Sequence, residues 1–380
     1  MLPVKHSSHR GFTLIEMMIA MAVGLIVIGA AAELFSRGLD ATWVISQRAE
    51  MQQDGRAASD LLTRDISLAG AGLQTGIGLA AGTPISPKFG CDQTTCYVNN
   101  GAGINYPSAA GIPTIYGIMP GYQQGRTIDA AKGPTDSITV VYADTTFLLN
   151  CYQATVATST TLTLVDPTAL NPPGTYAPPC STTTVPPVLP QLATDPAVGL
   201  KPGDVVMFSG KDPVTGSTVF VVGEVTNAAG GASPFTVTFA NNDALQLNQT
   251  AAASGSFANI VGANGILTRL EVITYYLDVP ASTGLPTLMR QVNGQGPQPV
   301  SENVSDLEFA YEIYDDTKTP PQSTQPFLPA GASPSLIKKV DILHMTMRSA
   351  LPGVKGYQGM DLQTSVSARN LGIKDQFPLN

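Results

Sequence analysis

Apolar positions along this chain follow three successive patterns. From Phe12 to Ala32 they are nearly continuous: 21 residues broken by one acid, Glu16, with no charge from Met17 onward. At 1.5 Å per residue such a run makes a helix of about 30 Å, the thickness of a hydrocarbon core. The pattern then becomes amphipathic. Ala58, Leu62, Ile66 and Ala69 recur at helical steps with Leu61 beside them, while Arg56, Asp60 and Arg64 fall on the other side. No proline interrupts the chain between Pro3 and Pro84, and Gly70, Gly72, Gly76 and Gly78 supply stop signals. One continuous helix is therefore predicted from about Thr13 to Ala69, roughly 85 Å long. Its first half suits a membrane or a helical bundle, and its second half should lie against the domain that follows.

Beyond residue 80 the period shifts to two. Strands are predicted at 137–143, 162–165, 204–209, 219–225, 235–239, 267–277, 288–291, 307–314, 339–349 and 362–370. In the last of these Leu362, Thr364, Val366 and Ala368 share one face. Tyr275 and Leu277 alternate with Tyr276 and Asp278 as in a half-buried strand, and 288–290 reads as its hairpin partner. Asp306 and Glu308 read as a solvated face opposite Leu307 and Phe309. The Pro-rich stretches 171–196 and 317–334 read as long loops. The expected architecture is α+β: a long N-terminal helix packed on a β-rich globular domain. Its divisions are 1–11, 12–69 and 70–380, with a variable, cysteine-containing part at about 80–200.

Composition narrows the function. Only 13% of the 380 residues are charged, and the net charge is −8. Lys and Arg number 20 and form no basic stripe, so a nucleic-acid partner is not expected. There are three histidines, His6, His9 and His344, and two of them precede the apolar run. That leaves no multi-His metal site and only His344 for a catalytic triad. His344 lies in an alternating run that places it with Val340, Ile342 and Thr346, where a structural role is expected. Neither G-x-S-x-G nor H-E-x-x-H occurs. No catalytic residue, cofactor or metal is expected. The acidic turns Asn241-Asn242-Asp243 and Asp315-Asp316 are of a kind that only rarely ligates calcium.

Lys5 and Arg10 precede the apolar run, so the N-terminus should stay cytoplasmic and the rest should be exported. Three processing routes compete. A conventional signal peptide would be cut after Ala30-Ala31-Ala32, leaving a secreted or anchored adhesin or hydrolase that starts at Glu33. A plain anchor would keep the run. A class III leader would be cut between Gly11 and Phe12 and would also keep it. Glu16 favours the third, because a carboxylate costs about 2.5–3.5 kcal/mol at the centre of a membrane helix. A bundle can offset that cost with a cation, and a cut after Gly11 creates one at Phe12.

The segment Arg10-Gly11-Phe12-Thr13-Leu14-Ile15-Glu16-Met17-Met18 resembles the leader junction of type IV pilins and type II secretion pseudopilins. The resemblance implies cleavage after Gly11 by the prepilin peptidase, N-methylation of Phe12, and a role for Glu16 in subunit registry. One departure is the missing proline midway along the helix, where Gly24 and Gly29 are the weak points. A second set of pieces follows in order: Pro202-Gly203-Asp204, Tyr275-Tyr276-Leu277, Leu288-Met289-Arg290, residues 304–309, residues 339–342 and Arg369-Asn370. That order is similar to PilW-type minor pilins and to the related J-type pseudopilins. It implies a minor pilin that helps start or cap a type IV pilus, with the pseudopilus tip as alternative. The implied partners are the prepilin peptidase, other minor and major pilins, the inner-membrane assembly platform, and the membrane itself through the segment from Phe12 to Phe35. The implied locations are the inner membrane before assembly and the periplasm or cell-surface pilus afterwards.

Four cysteines, Cys91, Cys96, Cys151 and Cys180, all follow the apolar run and so lie on the oxidising side. Of three possible connectivities, pairing of nearest neighbours favours Cys91–Cys96 and Cys151–Cys180. A four-thiolate zinc site is disfavoured, because the spacings do not form two short hooks.

Overall fold

A computed structural model describes residues 12–73, 87–105, 115–144, 148–170, 191–194, 199–230, 234–248, 256–329, 333–348 and 359–368. The helix α1 spans Leu14–Leu68, within a residue of the span read from the sequence. It ends where Ala69 turns extended and Gly70 and Gly72 take positive φ. There the Gly70 amide donates to the Val141 carbonyl at 2.9 Å, and the Ala143 amide donates to the Ala71 carbonyl at 2.8 Å. The chain thus passes directly from helix into sheet contact. A Cβ on Gly72 would stand 2.6 Å from that of Ala143, so close approach as well as backbone conformation requires glycine.

Seventeen strands follow among the described residues. A two-stranded ribbon pairs β1 (Lys88–Phe89) with β2 (Ile104–Asn105). The large sheet holds eleven strands: β3 (Ile118–Gly121), β4 (Ser137–Ala143), β5 (Gln153–Val156), β6 (Thr161–Val165), β7 (Val205–Lys211), β8 (Thr218–Glu224), β9 (Asn227–Ala229), β10 (Phe235–Thr238), β11 (Asn264–Asp278), β12 (Thr287–Val292) and β13 (Gln298–Glu302). A second sheet has the order β15 (Gln322–Gln325), β14 (Val304–Tyr314), β16 (Ile337–Arg348) and β17 (Gly359–Ser367). All pairings are antiparallel. The architecture is α+β and pilin-like, a long N-terminal helix followed by antiparallel sheets.

The 15-residue β11 organises the body. Its first part lies between β7 and β5, and its second part between β4 and β12. Because β8 continues through Val225 and Thr226 into β9, the strand order β5-β6-β10-β9/β8-β7-β11 returns to its start. This closed piece is filled by Leu162, Leu164, Phe208, Phe235, Phe239 and Phe257. Along the rest of β11, Ile273, Tyr275 and Leu277 face α1 and the four-stranded sheet, while Leu270, Val272 and Tyr276 face a third cluster that includes Phe89 and Val98. Tyr275 and Tyr276 are both fully buried, so β11 is covered on both faces and is not the half-buried strand that its alternation predicts. The reason is that the segments carrying Phe89, Val98, Leu245 and Leu247 pack over its second face. Residues 80–200 therefore supply core as well as surface.

Three further expectations change. The stretch 317–334 contains β15, a polar edge strand paired with β14 and invisible to an apolar-alternation signal. Asp306 is buried and ion-paired with Lys132, because the connection from β3 to β4 folds over that end of β14. His344 does not share a face with Val340 and Ile342. The pairing of Phe309 with Ile342 and of Glu308 with His344 leaves Leu343 unmatched, and this bulge turns Met345 and Met347 inward and His344 outward.

α1 packs through Met51, Gly55, Ala58, Leu62, Asp65 and Ile66. Gly55 sets the closest approach. A Cβ there would stand 2.7 Å from Leu362 Cδ1 and 2.7 Å from Met347 Sδ. Gly55→Val should therefore destabilise the chain by about 1–3 kcal/mol through overpacking. Gly38→Ala, with open space around it, should be neutral or gain helix propensity of up to about 1 kcal/mol. Urea unfolding of the two variants checks this. Equal stability of Gly55→Val and wild type would mean that the helix does not seat on β16 and β17 through that glycine.

Candidate assembly interface

The N-terminal half of α1 is a surface without a cover. From Phe12 to Glu50 no residue is buried, and Phe12, Leu14, Leu25, Ile26 and Phe35 are among the most exposed apolar side chains of the chain. This part of α1 is long and apolar enough to cross a membrane. An apolar surface of this extent needs lipid or other helices around it. The first charges after Glu16, on Glu33 and Arg37, pair with each other at 2.6 Å across one exposed helical turn.

The start of the helix is fixed locally. Thr13 is the N-cap and Glu16 lies three residues on, which is the capping-box spacing. Glu16 Oε2 accepts from the Thr13 amide at 2.9 Å and from Thr13 Oγ1 at 2.9 Å, and the Glu16 amide donates to Thr13 Oγ1 at 3.4 Å. Oε1 of Glu16 has no partner among the described residues. Phe12, just ahead of the cap, is 88% exposed, and Gly11 lies outside the described residues.

The other end of α1 is anchored by a polar joint that sequence reasoning missed. Asp65 sits within the apolar stripe and its side chain is 3% exposed. Its Oδ2 accepts from Tyr275 OH at 2.7 Å and from Arg290 Nε at 2.8 Å, while Arg290 Nε lies 3.2 Å from Tyr275 OH. Burial first, and the negative field of Asp65 second, push the Tyr275 phenol up, so it stays protonated and donates. Two of the short motifs singled out in the sequence, around Tyr275 and Arg290, thus meet on one helix residue. The available signal was a lone acid next to Leu62 and Ile66.

The remaining candidates lie in the body. Cys91 and Cys96 are bonded to each other. Cys151 is also disulfide-bonded, while Cys180 lies outside the described residues, as do Gly76, Gly78 and Arg369-Asn370. His344 Nδ1 meets Asp361 Oδ2 at 2.7 Å on an open strand face. Asp243 turns inward rather than toward solvent. It accepts from the amides of Leu247 at 2.6 Å and Asn248 at 3.1 Å, and it lies against Glu224. Burial pushes both carboxyls up, away from the ionised form that a calcium ligand needs. Asp315 is occupied by the amide and hydroxyl of Thr317. Among the described residues no group of three or more His, Cys, Asp or Glu is placed to hold a metal.

Comparison with curated proteins and with solved structures gave no match. The family signature described as the prokaryotic N-terminal methylation motif matches residues 6–32. This chain thus carries the class III, methylation-type N-terminus typical of type IV pilins and pseudopilins, the kind that prepilin peptidase processes for a pilus or secretion machinery, on a pilin-like α+β fold.

Proposed function

We propose that the chain is a minor pilin of a type IV pilus, of the PilW type, which helps to start or cap the filament. The carrying observation is the division of α1: it is uncovered from Phe12 to Glu50 and fixed to a large body from Met51 onward. The basic leader holds the precursor in the inner membrane. Cleavage after Gly11 exposes the amine of Phe12, which is then methylated. The segment from Phe12 to Phe35 moves from lipid into a bundle of neighbouring helices. Apolar contact drives such bundling little in lipid, so packing and a Glu16–amine pair set the register. A body of this size would crowd a helical shaft, which supports a tip position. The order of short motifs in the second half supports the PilW type. A J-type pseudopilin at a pseudopilus tip would use the same chemistry, and deletion separates the two readings by loss of pili or loss of secretion.

The mature N-terminus tests the processing step. Mass analysis should find a chain that begins at Phe12 and carries one methyl group, and Gly11→Leu should keep its leader almost completely. A start at Glu33 would mean a conventional signal peptide. That cut would fall inside the unbroken helix. Normal processing of Gly11→Leu would place the cut elsewhere.

A further inference from the structure

The body carries a cavity that the assembly reading leaves unused. It lies beside the Cys91–Cys96 bridge, measures about 470 Å³, and is lined by Thr95, Tyr97, Asn99 and Gly101 on one side and by Arg126 and Asp278 on the other. Its walls are held from behind. The bridge closes the 91–96 turn, and Asp92 accepts from the amides of Thr94 and Thr95 at 2.8 Å and from the Tyr97 hydroxyl. The Asn99 amide donates to the Gln124 carbonyl at 2.7 Å, joining the two sides. Arg126 Nη1 meets Asp278 Oδ1 at 2.7 Å.

Tyr276 and Gln124 lie behind this wall and outside the lining, each with a buried polar atom. Tyr276 is fully buried, shares a face of β11 with Asp278 two residues on, and stacks on Tyr97 with ring centroids 6.0 Å apart and planes at 19°. Gln124 adjoins Gly125 and Arg126 in the wall.

The lining discriminates between ligand classes. An anion would meet Asp278, with the charge of Arg126 already offset. A cation would meet Arg126. An apolar molecule would desolvate the Arg126–Asp278 pair and offer it no hydrogen bond in return. A neutral molecule whose groups both donate and accept suits the lining, because a hydroxyl can donate to Asp278 and accept from Arg126. Tyr97 adds an amphipathic ring against which the C–H face of a sugar can lie. The volume falls within the range of about 300–1,000 Å³ found for small-ligand sites. We propose that this cavity binds a mono- or disaccharide unit of a neutral glycan. Envelope glycans and host-surface glycans share this chemistry, and the test has an arm for each.

The test is saturation-transfer NMR on the full-length chain in detergent micelles. One arm uses N-acetylglucosamine disaccharides, a second uses neutral galactose and mannose disaccharides, and a third uses sialylated sugars. At least one neutral arm should bind with a Kd of about 1 mM or tighter. Thr95→Trp, which fills the cavity from its exposed rim, should abolish the signal. Arg126→Ala should weaken it about tenfold, the equivalent of one hydrogen bond to a charged group. Melting curves confirm that each variant is folded, and Arg126→Ala carries the test alone if Thr95→Trp is not. The proposal is overturned if no neutral arm binds at millimolar concentration, if binding is confined to the sialylated arm, or if both folded variants bind as wild type does. None of these outcomes bears on the mature N-terminus, so this inference and the pilin reading fail separately.

Discussion

Asp65→Ala should lower the stability of the chain by about 3–5 kcal/mol, because it leaves the Arg290 guanidinium buried without its carboxylate. The pair is nearly enclosed: the Asp65 side chain is 3% exposed and that of Arg290 23%. The loss also strands the Tyr275 hydroxyl, whose acceptor is the same Asp65 oxygen. For a body of this size, melting should fall by roughly 6–20 °C, at about 2–4 °C per kcal/mol. A second substitution separates charge from packing. Asp65→Leu combined with Arg290→Met removes both charges and keeps apolar volume, and replacement of a whole buried pair is often neutral. The double variant should recover at least half of the loss. A single variant that costs under about 1 kcal/mol would show that the joint is not held by this pair.

That joint also marks the limit of what could be read in advance. The stripe Ala58, Leu62, Ile66 and Ala69 was legible because helical periodicity needs only local order, and all four residues are fully buried. The Asp65 partners lie 210 and 225 residues away, and no local pattern encodes such a distance. The same contrast runs through the sheets. The ends of β4 are legible because Ser137–Ala143 is bounded by polar turn residues. The alternation of β17 matches its faces, with Leu362, Thr364 and Val366 turned inward. Alternation puts His344 on the wrong face because a bulge at Leu343 changes phase without any glycine or proline to announce it. The burial of Asp306 is not legible locally, because Lys132 reaches it from 174 residues away. At the assembly surface the balance is reversed. The leader junction is a short linear motif, so the residues proposed to carry processing and registry stand side by side in the sequence.

Glu16→Ala should still be cleaved and methylated yet enter filaments at least about a hundredfold less often, the effect of removing one partner from a desolvated ion pair. The difficulty is that Glu16 has two roles. Its Oε2 closes the capping box with Thr13, and a cap alone is worth about 0.5–2 kcal/mol. Loss of the cap and loss of an intersubunit charge pair would both reduce assembly. Two further variants tell them apart. Glu16→Gln keeps the reach and the acceptor oxygen that a capping box needs, since glutamine serves at that position as well as glutamate. It lacks the negative charge that the methylated Phe12 amine of a neighbour requires. Thr13→Ala does the reverse, weakening the cap and sparing the charge. If the carboxylate sets the register, Glu16→Gln should fail to assemble as completely as Glu16→Ala, while Thr13→Ala should assemble at no worse than about a tenth of the normal level, consistent with a loss of about 1 kcal/mol. Quantitative immunoblots of sheared filaments against membrane-bound precursor give the ratio for each variant. Normal assembly of Glu16→Gln would reduce Glu16 to a helix cap, and the long apolar surface of α1 would then have to find its register by packing alone.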